Sequence, residues 1–211
     1  LTAGTAYYWR VNAITQCGSS GYSSAFSFTT TSCITYASTN VPIQIPAPGT
    51  GTYTSTLNVA AAGTINDLNV IDLVGTHNAT GNLIFTLQSP LGTVVTLMSQ
   101  ECGNQNDFDI DFDDEAASAT IPCPPTNGNA YQPAGLLSAF DGEDPNGTWT
   151  LSIQDVSNPN GGQLNGWSLE ICTDPISGCT EPDVPVLSSS PSNTCDGGSA
   201  TITIIGNLND A

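Results

Sequence analysis

Apolar and polar residues alternate with a period of two along most of this chain. Tyr7, Trp9 and Val11 share one face of the run Ala6–Asn12, and Phe26 and Phe28 share a face of Ala25–Thr29. Leu83, Phe85 and Leu87 repeat the pattern, followed by Val95 and Leu97. Further on, Trp149, Leu151 and Ile153 alternate, as do Trp167, Leu169 and Ile171. Such alternation predicts strands with one face buried. Tyr53–Val59 and the apolar-rich Ile65–Val74 read as strands too. Val41–Ile45, bounded by Pro42 and Pro46, reads as a short edge strand, since proline cannot donate to a ladder. Turns at Ser89-Pro-Leu-Gly92, Asp144-Pro-Asn-Gly147 and Asn158-Pro-Asn-Gly-Gly162 punctuate the pattern. No helical period interrupts it. The expected fold class is all-β, a sandwich of short strands.

The pattern divides the chain. Residues 1–31 form a hairpin, too little to be stable alone. The run Tyr7-Tyr-Trp-Arg-Val11 followed by Phe26-Ser-Phe-Thr-Thr30 resembles the last two strands of a fibronectin type III domain. Residues 32–173 carry enough strands to bury a core. Residues 174–187, with Pro175, Gly178, Pro182 and Pro185, read as a linker. Residues 188–211 hold one apolar run, Ala200–Ile205, and resemble the start of an Ig-like domain. The whole reads as a stretch cut from a longer chain. Its last strand would then pair with an exposed sheet edge of a neighbour.

Charge changes the picture most. Nineteen acids face one base, Arg10, with no lysine, for a formal net charge of −18. Binding to nucleic acid through phosphate neutralisation is excluded, because a single arginine cannot replace the counterions. No stretch approaches the ~18 apolar residues of a membrane span. Solubility and cation binding remain as uses for such a surface. Seven cysteines, none in a CxxC pair, lie far in sequence from the lone histidine, His77. That spacing speaks against zinc and for disulfides in an oxidising, extracellular compartment. Cys102 and Cys123 flank an acidic run, and a bridge there would hold its carboxylates together. Cys33 and Cys172 lie at the two ends of the central segment, and a bridge there would staple it shut, unless Cys17 takes Cys33 instead. Cys17 and Cys179 are undecided. Cys195 would pair beyond the chain.

The central segment carries a series of short motifs in order. They are Ile65-Asn-Asp-Leu-Asn-Val70, His77–Leu83, Leu87-Gln-Ser-Pro-Leu-Gly-Thr93, Phe112-Asp-Asp-Glu-Ala116, Tyr131-Gln-Pro133, Leu137–Phe140, Gly147-Thr-Trp-Thr-Leu151 and Asn165-Gly-Trp-Ser-Leu169. Together they resemble the P domain (P/Homo B domain), the jelly-roll-like sandwich that follows the subtilisin-like catalytic domain of proprotein convertases. The same module occurs without a protease in large secreted bacterial proteins. The flanking fibronectin-like and Ig-like pieces resemble proteins of the Bacteroidota kind. Asn82 stands where the family usually has Asp, which removes one carboxylate near the His77 loop.

The chemistry follows from these residues. A subtilisin-type triad needs an available histidine and an activated serine, and no nucleophile elbow is present. His77 reads as a structural strand-end residue, and no enzyme activity is expected. In Asp107–Glu115 carboxylates alternate with Phe108, Ile110 and Phe112. On a strand, Asp107, Asp109, Asp111 and Asp113 would point outward together, about 7 Å apart. Calcium, with ~6–8 oxygen ligands, would relieve their repulsion. The resemblance implies structural calcium near Asp113 and Asp114, and Asp141, Glu143 and Asp144 form a second acidic loop. The candidate ligands are Asp107, Asp109, Asp111, Asp113, Asp114 and Asp141. The alternative is a solvated acidic face. Asn78-Ala-Thr80 and Asn146-Gly-Thr148 match the glycosylation acceptor, a pattern common by chance. Carbohydrate binding would need exposed aromatics in a row, with only Tyr131 and Trp149 nearby.

The expected function is a non-catalytic structural or adhesive module of a secreted or cell-surface protein, within a chain or filament. Its partners would be neighbouring domains, copies of the same chain or surface polymers. The alternative is a module bracing the catalytic domain of a secreted protease.

Overall fold

The computed structural model describes residues 5–15, 18–174 and 201–206. The chain falls into two compact units, one of residues 1–31 and 177–211, the other Ser32–Ile176. Cys17, Cys179, Cys195 and the linker beyond Asp174 lie outside the described residues.

The first unit contains β1 (Ala6–Thr15), β2 (Gly18–Ser19) and β3 (Phe26–Thr29). β1 and β3 form the expected antiparallel ladder, with Trp9 opposite Phe26 and Tyr7 opposite Phe28. The facing aromatics stack, with centroids 4.7 Å apart for Trp9–Phe26. Its last strand, Thr201–Gly206, pairs antiparallel with β1, from Trp9 opposite Gly206 to Ile14 opposite Thr201. The strand that the sequence offers to a neighbour's sheet edge thus pairs within its own chain.

The larger unit contains β4 (Ser32–Ala37), β5 (Ile43–Ile45), β6 (Gly51–Val59), β7 (Thr64–His77), β8 (Leu83–Gln88) and β9 (Val94–Ser99). After these come β10 (Phe108–Phe112), β11 (Thr126–Tyr131), β12 (Gly147–Asp155) and β13 (Gly162–Asp174). The strand Thr201–Gly206 of the first unit is β14. No α-helix occurs among the described residues, only 3₁₀ turns at Thr80–Asn82 and Leu137–Phe140. Two sheets form, in the orders β11-β10-β7-β13-β4, with β5 also on β13, and β6-β12-β8-β9. All pairs are antiparallel except β10 with β11.

The alternation read from sequence decides what goes inside. Leu57, Phe85, Leu87, Trp149, Leu151 and Ile153 of one sheet meet Leu68, Phe108, Ile110, Phe112, Trp167 and Leu169 of the other, all buried in one core. Each such side chain stabilises the fold by ~1.5–3 kcal/mol. The two indoles satisfy their N–H groups inside. Trp149 donates to the Pro145 carbonyl (2.9 Å) and Trp167 to the Ser55 hydroxyl (2.7 Å). Gly162 is required by close approach, since a Cβ there would lie 1.8 Å from the Thr76 carbonyl oxygen. Disulfides join Cys33 to Cys172 and Cys102 to Cys123. The first links the outermost β4 to β13, where the two cysteines stand directly opposite.

Candidate functional site

β10 carries the acidic run, and burial alternates along it. Phe108, Ile110 and Phe112 turn inward while Asp109 and Asp111 turn outward. Asp107 and Asp113 fall outside the strand, so the four carboxylates do not form one row. Asp107, at a φ of 64°, turns its carboxylate back to accept the N–H of His77 (3.1 Å). Asp111 accepts the N–H of Asp72 (2.7 Å). Burial raises the Asp111 pKa above the ordinary value, the Asp72 N–H opposes this, and the charges of Asp72 and Asp109 add to the rise.

The remaining candidates gather elsewhere. Asp114 accepts two N–H groups, from Leu137 (2.8 Å) and Ser138 (2.9 Å), and so caps the second 3₁₀ turn. Asp141 ends that turn, its N–H on the Ser138 carbonyl. Asp113 accepts the N–H of Glu115 (2.6 Å). Asp67, on β7, joins them. Burial raises its pKa most, followed by the negative charge of Asp113, with Asp141 and Glu170 adding to the rise. Glu115 is raised by its hydrogen bond with Asp113, then by burial and by Asp67. Asp141 is raised by burial and by Asp114. Asn69 places its amide nitrogen 3.4 Å from both Asp67 Oδ2 and Glu170 Oε2, a weak bridge between two carboxylates. The cluster forms because β7 runs beside β10 and β13 and the 113–115 turn folds back over it.

This arrangement is a field of like charge that favours protonation. Among the described residues, no three His, Cys, Asp or Glu side chains converge to hold a metal ion. Asp107, Asp111 and Asp114 spend carboxylate oxygens on backbone N–H groups instead. Asp67 and Glu115 belong to the cluster although neither stands among the candidates read from sequence. Asp67 lies on a different strand, and nothing local ties it to Asp113.

His77 ends β7 and is buried, at 1% exposure. Its Nε2 lies 3.4 Å from Asp155 Oδ2, and its Nδ1 lies 2.8 Å from the Ala79 carbonyl oxygen. Asp155 is equally buried and accepts the N–H of Ser157 (3.1 Å). The pair ties β7 of one sheet to β12 of the other. A histidine so enclosed is structural. Trp149 belongs to the core and Tyr131 packs against it, so they form no exposed aromatic row.

The fold and site together define a disulfide-stapled β-sandwich with an acidic face. Residues 70–171 match the family model of the proprotein convertase P-domain. No curated protein matches the chain. Among solved structures, a serine protease of Aeromonas sobria is similar at 20% identity and a TM-score of 0.45, over 70% of this chain and 28% of that one. The same protease in complex with its chaperone gives 19% identity and 0.44, over 67% and 26%. A β-porphyranase of glycoside hydrolase family 86 from Bacteroides plebeius gives 11% identity and 0.35, over 81% and 31%. The chain therefore spans about a third or less of the length of each of these structures.

Proposed function

We propose that residues 32–176 are a non-catalytic structural module of a larger exported protein. The observation that supports this most is the P-domain match inside a sandwich closed end to end by Cys33–Cys172. The burial of the lone histidine beside Asp155 agrees with it, since a general base must reach its substrate. Disulfides suit an oxidising exterior, and no helix among the described residues is long and apolar enough to cross a membrane. On this reading the module holds neighbouring domains or copies apart in a surface chain or filament and has an adhesive role. The second reading is a brace for a subtilisin-like catalytic domain, favoured by the family that the model describes.

One experiment separates them. The parent protein is expressed with and without residues 32–176. The structural reading expects loss of surface attachment or filament assembly, with any proteolysis unchanged. Loss of proteolysis in the shortened protein would favour the brace.

Calcium enters this proposal only as a cation that would relieve the repulsion around Asp67, Asp113, Glu115 and Asp141. A melting curve with and without chelator checks it. An unchanged midpoint counts against a structural ion and leaves protonation as the relief.

A further inference from the structure

Charge is segregated along this chain. Residues 1–31 contain its one base, Arg10, and no acid. Residues 32–176 contain most of the acids and no base. In that larger unit the strands β6, β12, β8 and β9 bear one carboxylate, Asp155, and it is buried on His77. The unit's other acids stand on the opposite sheet and in loops.

An exposed apolar patch lies in each of these two settings. In the first unit Tyr8, Arg10 and Ile14 share one face of β1, since alternate residues of a strand face the same way, and all three are exposed. The Arg10 guanidinium sits over the Tyr22 ring, 4.1 Å from its centre, and Tyr22 is exposed too. In the larger unit Leu91 (67% exposed) and Val94 (57%) lie at the turn between β8 and β9. The N–H groups of Ala134 and Gly135 donate to the carbonyls of Leu97 (2.9 Å) and Thr96 (2.8 Å). This segment therefore runs back along the edge of β9 and brings Leu136 (63% exposed) to the start of that strand, where Val94 stands. A single exposed leucine is ordinary, but three apolar side chains together make a patch. Acids ring it. Asp114 accepts the N–H groups of Leu137 and Ser138, Asp141 ends the same turn, and Glu143 accepts the Thr93 hydroxyl.

We infer that these two patches dock on each other between copies of this chain. Tyr8, Arg10, Ile14 and Tyr22 of one copy meet Leu91, Val94 and Leu136 of the next. The inference deepens the structural-module reading and rests on it for the presence of neighbouring copies. Tyrosine and arginine are the residue types in which binding energy concentrates at interfaces. Charge selects the pairing. Two larger units meet acid against acid, and two Arg10 faces meet base against base. The mixed contact sets Arg10 among Asp114, Asp141 and Glu143. Copies of net charge −18 repel at a distance. Salt confines that repulsion to a Debye length of ~8 Å and weakens a desolvated contact less. The two patches belong to different units, so the contact is heterologous and copies add at both ends.

Sedimentation of the full chain at rising concentration, in ~0.15 M salt, tests this. The average mass should grow past that of a dimer. Arg10→Glu and Leu136→Asp should each weaken association by about tenfold. Glu101→Gln, just past the far end of β9, should leave it unchanged. Mixing the two variants gives the sharper result. The Arg10→Glu chain keeps its Leu136 patch and the Leu136→Asp chain keeps its Arg10 patch. Together they should form a one-to-one dimer that grows no further. Circular dichroism checks folding, and Tyr8→Ser replaces Arg10→Glu if that chain does not fold. An unaltered chain that stays monomeric, a dimer that does not grow, variants that assemble as the unaltered chain does, or a mixture that stays monomeric would each overturn the proposal. These failures leave the structural-module reading standing, because that is tested on the parent protein. Loss of proteolysis there would count against the module reading and leave the assembly of this chain untouched.

Discussion

At the scale of single residues, the buried polar groups carry specificity. The Trp167 indole donates to the Ser55 hydroxyl, which in turn lies 2.6 Å from the Asn40 amide. With its oxygen toward the Thr56 N–H (3.0 Å) and its nitrogen toward the Thr56 carbonyl (3.2 Å), Asn40 caps the open edge of β6. An edge so covered is a poor template for another strand. Replacing Trp167 by Phe keeps most of the packing and removes the donor. It should cost ~1–3 kcal/mol, read as a lower denaturation midpoint. The acidic residues make the opposite kind of statement. Asp67, Asp111, Glu115 and Asp141 all have raised pKa values, so the folded chain binds their protons more tightly than the unfolded chain. Between the ordinary carboxylate range and the raised values, stability from these groups falls as pH rises. The melting midpoint should therefore be higher in mild acid than at neutral pH. Asp67→Asn should raise the neutral midpoint and flatten the dependence. A midpoint that falls steadily on acidification would show that other carboxylates dominate.

At the scale of elements, β7 organises the larger unit. It pairs with β10 on one side and β13 on the other, and its last residue locks onto β12 through His77 and Asp155. The 3₁₀ turn after it receives the loop that bears Cys102, with the Gly81 N–H on the Gly103 carbonyl (2.8 Å). The Cys102–Cys123 bridge spans 21 residues and Cys33–Cys172 spans 139. Loop-closure entropy then assigns them ~3 and ~5 kcal/mol. Replacing Cys33 and Cys172 together by serine should lower the unfolding free energy more than replacing Cys102 and Cys123. Chemical denaturation of the two double variants decides the order. Equal losses would show that residual structure in the unfolded chain offsets the longer loop.

At the scale of the whole molecule, the larger unit has its own core and its own end-to-end bridge. Residues 32–176 expressed alone should unfold in one cooperative step, with a calorimetric enthalpy equal to the van't Hoff value. Two steps, or no transition, would mean that its core depends on the other segment. The same scale explains the asymmetry of charge. Carboxylates crowd the outer side of one sheet while the outer side of the other is neutral, so the module presents two unlike surfaces to its surroundings.

Much of this was legible along the chain. The period-two placement of Trp149, Leu151, Ile153, Trp167, Leu169 and Ile171 determined the inward faces of β12 and β13, because a strand leaves no other choice once one face is buried. The motifs from Ile65 to Leu169 lie largely within the matched segment, and Cys33 and Cys172 bond across the two ends of the central segment while Cys102 and Cys123 bond across the acidic run. The acidic run showed which way Asp109 and Asp111 would turn. It could not show that Asp107 would serve His77, that Asp114 would cap a turn 23 residues later, or that Asp67 would join Asp113 and Asp141. Those relations depend on which strands become neighbours. Neighbourhood is a non-local property, set by how two sheets close over a shared core. Local alternation decides which side a residue faces, and only the closed sandwich decides what it meets there.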